Sequence, residues 1–137
     1  MRVLLIDWQF KEMLSLVIPC YNEEDNLEKL FSKLKSLIKA NPAEDIEIVI
    51  VDNGSTDNSN NIIKNSNLLL DKRFKLVEIK KNIGYGNGVF EGLKHSSKEF
   101  IAWIHADLQT EPSDTIEIFK QTKNKLLTGD YIVKGRR

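Results

Sequence analysis

Cysteine is nearly absent from this 137-residue sequence, which contains Cys20 alone. A single cysteine excludes an internal disulfide and is typical of a chain that works in a reducing compartment. Net charge is missing as well, because twenty basic and twenty acidic residues cancel. Without an overall field of one sign, the chain is not expected to bind nucleic acid or to be drawn to an anionic membrane surface.

Long hydrophobic runs are also absent. No window approaches the roughly 18 consecutive apolar residues that a helix needs to cross a bilayer, and the apolar run at residues 3–6 is too short for a signal peptide. These absences predict a soluble, cytoplasmic protein. Apolar residues make up 41% and charged residues 29% of the sequence, as in ordinary globular domains. The length then predicts one domain with a single core.

Segments with the patterns of strands and helices alternate along the chain. Strands are predicted at residues 14–18, 47–51, 75–79, 100–104 and 131–133. Helices are predicted at residues 24–39 and 57–67, in a third segment that ends near residue 94, and from Pro112 onward. This alternation predicts the α/β class, with a doubly wound, mostly parallel sheet that carries helices on both faces. We assign residues 14–137 to this domain and treat residues 1–13 as a lead-in.

Polar, carboxylate-bearing segments follow three of these strands. Residues 19–23 follow the first strand, residues 52–57 the second and residues 105–109 the fourth. Parallel strands joined by crossover helices all point the same way, so their carboxyl ends meet at one edge of the sheet. Open α/β sheets bind their ligands at this edge, and we therefore expect the three segments to form one site.

The segment after the fourth strand carries the clearest candidate ligands. Asp107 and Gln109 both offer oxygen atoms, which together with the oxygens of a bound diphosphate complete the shell of a hard divalent cation. An ordinary polar loop is the alternative interpretation. His105 stands two residues before Asp107, but a Ser-His-Asp relay has no nucleophile elbow to support it. We interpret Trp103 as a core residue and Cys20 as a small packed residue.

The segment after the second strand is rich in side chains that bond to the local backbone. The carboxylate of Asp52 only accepts hydrogen bonds, so it suits a base or a ribose that donates them. Helix capping by Ser55 or Asp57 is the structural alternative, and the two interpretations are compatible. A calcium loop is excluded because its sixth residue should be glycine, and the sixth residue here is Asp57.

The glycines of residues 82–88 do not form a recognised phosphate loop. A dinucleotide fingerprint needs a glycine at the third residue after Gly86, where Val89 stands, and no Gly-Lys-Ser/Thr sequence is present. These glycines instead allow a close approach of the backbone at the sheet edge. The failed fingerprint disfavours a nucleotide-binding redox domain.

Five segments occur in an order and at a spacing that resemble family 2 glycosyltransferases with the GT-A fold. They are residues 15–23, 51–57, 82–88, 106–109 and 134–137. The Asp-Leu-Gln sequence at residues 107–109 is most similar to the dolichyl-phosphate mannose synthase-like branch, whose members transfer a sugar to a polyprenyl phosphate. The resemblance implies the Rossmann-like, nucleotide-sugar-binding half of such an enzyme.

The chemistry that the resemblance implies is a metal-dependent, inverting transfer of a hexose from a UDP- or GDP-linked sugar. The implied acceptor is a polyprenyl phosphate, which is a membrane lipid, or a glycan, so peripheral association with a membrane is implied too. The implied nucleotide-binding residues are Pro19, Tyr21, Glu23, Asp52, Asn53, Ser55, Asp107 and Arg137. The implied cofactor is Mg²⁺ or Mn²⁺, held by Asp107 and Gln109, with His105 as a further candidate ligand.

The chain departs from the family pattern in two places. His105 stands where the family's Asp-x-Asp motif has its first carboxylate, so we expect weaker metal affinity or an altered donor preference. The sequence stops where the family's acceptor half, with any catalytic base, is expected to begin. A nucleotide-sugar-binding module that does not catalyse transfer on its own is therefore the alternative function. The sheet edge at residues 131–133 favours a homo-oligomer.

Overall fold

The structure is a computed structural model that describes residues 13–129 and 132–134. Its strands are β1 (Met13–Cys20), β2 (Asp45–Asp52), β3 (Phe74–Glu78) and β4 (Phe100–Trp103). Its helices are α1 (Glu24–Ala40), α2 (Ser59–Lys64), α3 (Tyr85–His95) and α4 (Pro112–Leu126), and a 3₁₀ turn, Asn67–Leu70, follows α2. The strands are all parallel and lie in the order β3-β2-β1-β4. The predicted α/β sheet is confirmed.

Side chains alternate between the two faces of the sheet. On one face, residues such as Leu16 and Ile50 are fully buried in a core that also contains Leu27 and Leu34 from the apolar stripe of α1. Residues of α2 and α4 belong to the same core. Each fully buried aliphatic side chain of this kind contributes roughly 1.5–3 kcal/mol. Helices α1, α2 and α4 therefore cover one face, as the amphipathic pattern predicts.

Among the described elements, helix α3 alone packs on the other face, where four valines of β1, β2 and β3 form a second, smaller core. The helix lies close to the sheet because Gly92 has no side chain. A Cβ atom added at Gly92 would lie 2.2 Å from Cγ1 of Val17 and 3.0 Å from Cγ2 of Val51. Only glycine fits this contact, and the close approach brings the start of α3 to the carboxyl edge of the sheet.

Helix α2 is shorter than the predicted segment 57–67. The carboxylate of Asp57 lies outside the helix, and its Oδ1 accepts a hydrogen bond from the backbone N–H of Ser59, 2.9 Å away. After Lys64 the chain turns into the 3₁₀ segment, which buries Leu68 in the main core. The predicted helix is therefore too long by two residues at its start and by three at its end.

The prediction that Trp103 is a core residue is wrong. Strand β4 is at the edge of the sheet, and Trp103 pairs in register with Val17 on the face that α3 covers. Helix α3 packs mainly over β1 and β2, so Trp103 is 48% exposed, and its neighbour on the same face, Ile101, is also exposed. The apolar run of β4 predicts a strand correctly but does not show which of its side chains a helix covers.

The predicted strand at residues 131–133 is wrong where the structure describes it. Ile132 and Val133 are exposed and have no regular secondary structure, while Tyr131 lies outside the described residues. A segment this short forms a strand only where a neighbour pairs with it. The predicted lead-in, apart from Met13 in β1, also lies outside the described residues. Within the described ranges, no helix combines the length and hydrophobicity needed to cross a membrane.

A buried carboxylate ties the connection between α3 and β4 to the sheet. Glu47, which is 4% exposed, accepts hydrogen bonds from Oγ of Ser15 at 2.8 Å and from the backbone N–H and Oγ of Ser97 at 2.9 and 2.7 Å. Its carboxylate also pairs with Nζ of Lys75. Burial by itself raises the pKa of Glu47, but the contacts with Lys75, Ser97 and Ser15 outweigh it and lower the pKa from 4.5 to about 2.

We expect Glu47→Gln to destabilise the fold in a pH-dependent way. Because the folded-state pKa lies below the unfolded-state value, ionised Glu47 stabilises the fold above about pH 4.5. That contribution, about 3 kcal/mol at neutral pH, is lost as the pH falls toward 2. Urea unfolding at pH 7 and at pH 3 measures it: the variant should lose stability mainly at pH 7. Glu28→Gln, at an exposed position of α1, is the control, and an equal loss at both pH values would contradict the prediction.

Candidate functional site

The carboxyl ends of β1, β2 and β4 meet at one edge of the sheet, where a cleft of about 210 Å³ opens. Six of the residues predicted from the sequence line this cleft: Pro19, Tyr21, Glu23, Asn53, His105 and Asp107. Asp52, at the end of β2, is not among the lining residues, and neither are Ser55 and Gln109, which lie in the adjoining turns. Arg137 lies outside the described residues. The expected gathering of three strand-end segments is therefore observed.

The loops that follow β1 and β2 form one side of the cleft and hold each other in place. Asn22 adopts a left-handed backbone conformation with a φ of 54°, which asparagine tolerates better than most residues. Its side-chain Oδ1 accepts a hydrogen bond from the backbone N–H of Thr56 at 2.8 Å, and its own N–H donates to Oγ of Ser55 at 3.1 Å. The N–H of Glu23 donates to Oγ of Ser59 at 2.9 Å. These contacts fix the backbone that carries Tyr21 and Glu23.

Asp52 holds the turn that follows β2. Its side chain is buried, Oδ1 accepts a hydrogen bond from the backbone N–H of Ser55 at 3.1 Å, and Oδ2 accepts one from Nδ2 of Asn60 at 2.7 Å. Ser55 in turn supports Asn22, so it braces a neighbouring loop rather than capping α2. Each carboxylate oxygen has two lone pairs, so these contacts leave Asp52 able to accept further hydrogen bonds. The role of Asp52 and Ser55 at a nucleotide remains a prediction.

Asn53, which lines the cleft, has a buried acceptor without a hydrogen-bond partner among the described residues. The residue is only 2% exposed, and its Nδ2 donates to Oδ1 of Asn82 at 3.3 Å and to the carbonyl oxygen of Gly84 at 3.1 Å. Because both partners are acceptors, the orientation of the amide is defined. Its Oδ1 is buried and has no hydrogen-bond partner among the described residues. An unsatisfied buried acceptor costs about 1–3 kcal/mol, so this atom is a natural partner for a donor on a bound molecule.

Glycine is required where the turn after β2 meets the segment before α3. Gly54 has a φ of 73°, and a Cβ atom added to it would lie 2.5 Å from the backbone nitrogen of Asn82. Gly88 in α3 faces Asn53, and a Cβ atom there would lie 3.0 Å from the Asn53 side chain. The close approach that the sequence predicts for the glycines of residues 82–88 is therefore observed at Gly88, and its purpose is to accommodate Asn53.

The candidate metal loop is a tight turn. Oδ1 of Asp107 accepts a hydrogen bond from the backbone N–H of Gln109 at 3.1 Å, and Leu108 between them has a φ of 61°. A non-glycine residue in this conformation is strained by about 1–3 kcal/mol and is most often found at functional sites. Oδ2 of Asp107 has no hydrogen-bond partner within residues 13–129 and 132–134, so the turn orients one carboxylate and leaves half of it available.

The donor set fits a cation that takes most of its ligands from a phosphate group. In the part of the chain that the structure describes, no three His, Cys, Asp or Glu residues are grouped closely enough to hold a metal ion by themselves. Mg²⁺ and Mn²⁺ are commonly bound through one or two carboxylates and substrate phosphates, which is what Asp107 offers. Gln109 is exposed and lies in the same turn, so its side-chain oxygen is a second candidate.

Sequence analysis missed Tyr85 and Asn82, which also line the cleft. Tyr85 is the first residue of α3, and its ring stacks on the ring of His105 with the centroids 4.6 Å apart and the planes 6° from parallel. The only signal in the sequence was that Asn82 and Tyr85 belong to the family-like segment 82–88. The stacking partner is twenty residues away along the chain, so no local pattern indicates it.

Cys20 is confirmed as a packed residue. Its thiol is fully buried, and Sγ donates to the carbonyl oxygen of Ile18 at 3.6 Å. Burial, followed by the charges of Glu23 and Asp52, raises the pKa of the thiol far above its usual range. Since the thiolate is the reactive form, burial disfavours a nucleophilic role for Cys20 in this fold.

We expect Asn53→Asp to lower the stability of the fold by about 1–3 kcal/mol, because an ionised carboxylate cannot donate to Oδ1 of Asn82 or to the carbonyl of Gly84. Urea unfolding at pH 7 measures the change. The matched control is Asn61→Asp, since Nδ2 of Asn61 also donates to an asparagine, Asn58, but on the exposed surface. Equal stability of the two variants would contradict the defined orientation of Asn53.

The chain matches known proteins over most of its length. The family described as Glycosyl transferase family 2 matches residues 15–133. An undecaprenyl-phosphate 4-deoxy-4-formamido-L-arabinose transferase from Shewanella sediminis is 33% identical over 103 residues, which are 75% of this chain and 31% of that relative. The chain therefore spans about a third of the length of this curated relative.

Two solved structures share the fold. One is a mannosyltransferase from Pyrobaculum calidifontis, PcManGT, in complex with GDP-Man and Mn²⁺. It has a TM-score of 0.64 at 21% identity, and the matched region covers 79% of this chain and 31% of the PcManGT chain. The S. aureus protein TarS 1–349, in complex with UDP-GlcNAc, has a TM-score of 0.61 at 22% identity, over 82% of this chain and 31% of its own. These structures show the shared fold, and the family match over residues 15–133 shows that the chain belongs to glycosyl transferase family 2.

Proposed function

We propose that this chain is the nucleotide-sugar-binding part of a glycosyltransferase that moves a hexose from a nucleoside diphosphate sugar to an acceptor. The observation that carries the proposal is the unpaired, buried Oδ1 of Asn53, a residue that lines the cleft at the carboxyl edge of the sheet. Membership of the family supplies the reaction class, and the cleft supplies a place for the nucleotide.

The nucleoside occupies the cleft between Tyr21 and Asn53 in this proposal. Tyr21 is exposed and offers an aromatic surface, while Pro19 and Glu23 line the same side. The Oδ1 atom of Asn53 accepts a hydrogen bond from a base N–H or a ribose hydroxyl. Asp52 accepts a second one, with Ser55 keeping its turn in place. Uracil and guanine both carry ring N–H donors, so UDP- and GDP-linked sugars both remain candidate donor substrates.

The diphosphate lies toward the Asp107 turn. Asp107, with Gln109 and His105 as further ligands, would hold Mg²⁺ or Mn²⁺ there, as the complex of PcManGT with GDP-Man and Mn²⁺ supports. When bound, the cation supplies positive charge that stabilises the departing nucleoside diphosphate. Arg137 stays a predicted partner of the phosphates. No residue of this chain is assigned as a catalytic base.

The acceptor is proposed to be a polyprenyl phosphate, in line with the name of the relative from Shewanella sediminis, with a glycan as the alternative. A lipid acceptor is compatible with a cytoplasmic protein that associates peripherally with a membrane. Self-association is proposed as well. Because β4 is an edge strand of the described sheet and residues 132–133 form no strand, we propose that it occurs through β4. No nucleic-acid partner is proposed.

A binding module without transfer activity of its own is the second candidate. It is favoured by the donor set, because no three His, Cys, Asp or Glu residues in the described part of the chain are grouped closely enough to hold a metal ion by themselves. Hydrolysis of a nucleotide sugar by the isolated chain distinguishes the two candidates, because a pure binding module would bind the donor without turning it over.

Calorimetric titration with UDP and with GDP, each with and without Mn²⁺, tests the nucleotide site. We expect one nucleotide to bind in a metal-dependent way and Asp107→Asn to weaken that binding at least about tenfold, or about 1.4 kcal/mol. Asparagine keeps the acceptor for the Gln109 N–H and removes only the charge, so the turn is preserved. Asp25→Asn, at an exposed position of α1, is the control. Absence of binding by either nucleotide would falsify the proposed function.

His105→Asp restores the carboxylate that the family's motif has at this position. We expect the variant to reach half-maximal nucleotide binding at a several-fold lower Mn²⁺ concentration, because a second carboxylate faces the cation. His105→Asn, which is polar but uncharged, is the matched control and should not show this gain. An unchanged Mn²⁺ dependence in the aspartate variant would remove the idea that His105 weakens the metal site.

A further inference from the structure

Tyr85 stacks on one residue of the loop that follows β4 and lines the cleft together with a second one. Its ring is stacked on the imidazole of His105, with the centroids 4.6 Å apart and the planes 6° from parallel. Burial, followed by the nearby charge of Asp107, raises the pKa of Tyr85. The tyrosine is therefore beside both His105 and Asp107, the first and third residues of the segment that the proposed function places at the metal.

The position of Tyr85 is defined by the backbone around it. It follows Gly84, which has a φ of 119° and whose N–H donates to Oδ1 of Asn82 at 2.8 Å. The carbonyl oxygen of Gly84 accepts from Asn53, and the close packing of Gly92 holds the helix against the sheet. Tyr85 therefore projects from a rigid helix start, although it is 41% exposed.

His105 has no comparable support of its own. It follows Ile104, whose N–H donates to the carbonyl oxygen of Val17 at 3.1 Å, and beyond that point the chain leaves the sheet. Within the described residues, the His105 ring makes no hydrogen bond, and the stack with Tyr85 is its one ring contact. Parallel aromatic pairs contribute enough to favour one ring orientation severalfold.

We propose that Tyr85 is a positioning residue for His105, and that its ring fixes the direction in which the imidazole nitrogens face the cleft. His105 replaces a carboxylate of the family's motif, and Tyr85 gives this chain a way to hold the replacement in place across the cleft. The stack itself is independent of any ligand. Its effect on nucleotide binding rests on the proposed function.

Two variants separate the ring of Tyr85 from its hydroxyl group. Tyr85→Phe keeps the aromatic ring and removes the hydroxyl, while Tyr85→Leu removes the ring and keeps an apolar side chain. The chain has two histidines, so an NMR spectrum of the imidazole protons contains two sets of signals. His95, whose Nδ1 lies 2.8 Å from the carbonyl oxygen of Glu91 near the end of α3, is the internal reference for correct folding.

We expect the His105 signals to be shifted by the Tyr85 ring current in the native protein and in Tyr85→Phe. In Tyr85→Leu they should move toward the positions of an unstacked histidine, while the His95 signals stay in place. In titrations with UDP or GDP and Mn²⁺, Tyr85→Leu should bind the nucleotide roughly 3- to 10-fold more weakly, and Tyr85→Phe within about twofold of the native protein.

The outcomes distinguish this inference from the proposed function. His105 signals that do not move in Tyr85→Leu would overturn the stack, whether or not a nucleotide binds. Moved signals with unchanged nucleotide affinity, or an equal loss of affinity in both variants, would overturn the positioning role of the ring. If the native protein binds neither nucleotide, the proposed function fails, and the NMR spectra still decide whether Tyr85 orients His105.

Discussion

The cleft depends on hydrogen bonds between two loops, residues 21–23 after β1 and residues 53–58 after β2. Asn22 bonds to Ser55 and Thr56, and the backbone N–H of Asn53 donates to the carbonyl oxygen of Cys20 at 2.8 Å. Asp57 joins the starts of two helices, since Oδ1 accepts from the N–H of Ser59 and Oδ2 from the N–H of Glu24. The first free amide of α1 is thus satisfied by the partner loop, and the first free amide of α2 by its own preceding loop.

The opposite side of the cleft is formed by α3, which packs closely on the sheet. Gly92 lets the helix approach Val17 and Val51, and Gly88 leaves room for Asn53. The side-chain amide of Asn53 donates both of its hydrogen bonds to the segment before α3, and its Oδ1 has no partner among the described residues. The strained conformations of Asn22 and Leu108 lie at the same sheet edge. A fold that concentrates an unpaired acceptor and backbone strain at one place has the features of a binding site.

Local patterns predicted the elements that bury a complete apolar face. The stripe of α1 is spaced three and four residues apart, so its predicted bounds nearly match Glu24–Ala40. The same reasoning failed for Trp103, because burial of an edge strand depends on which strands α3 covers. It also made α2 too long at both ends, because the side chain of Asp57 satisfies the N–H of Ser59 from outside the helix and the N–H of Ser66 donates to the carbonyl oxygen of Ile63 in a tighter turn.

The sequence by itself determined the order of strands and helices, the parallel sheet and the edge at which the polar segments gather. Periodicity and chain direction are local properties, and the handedness of crossover connections converts them into a topology. Only the tertiary structure decided that Asn53 and not Asp52 lines the cleft, that Asp57 serves two helices and that Tyr85 stacks on His105. These contacts join residues far apart in the chain, and their geometry follows from how closely α3 and the loops pack, which no local pattern encodes.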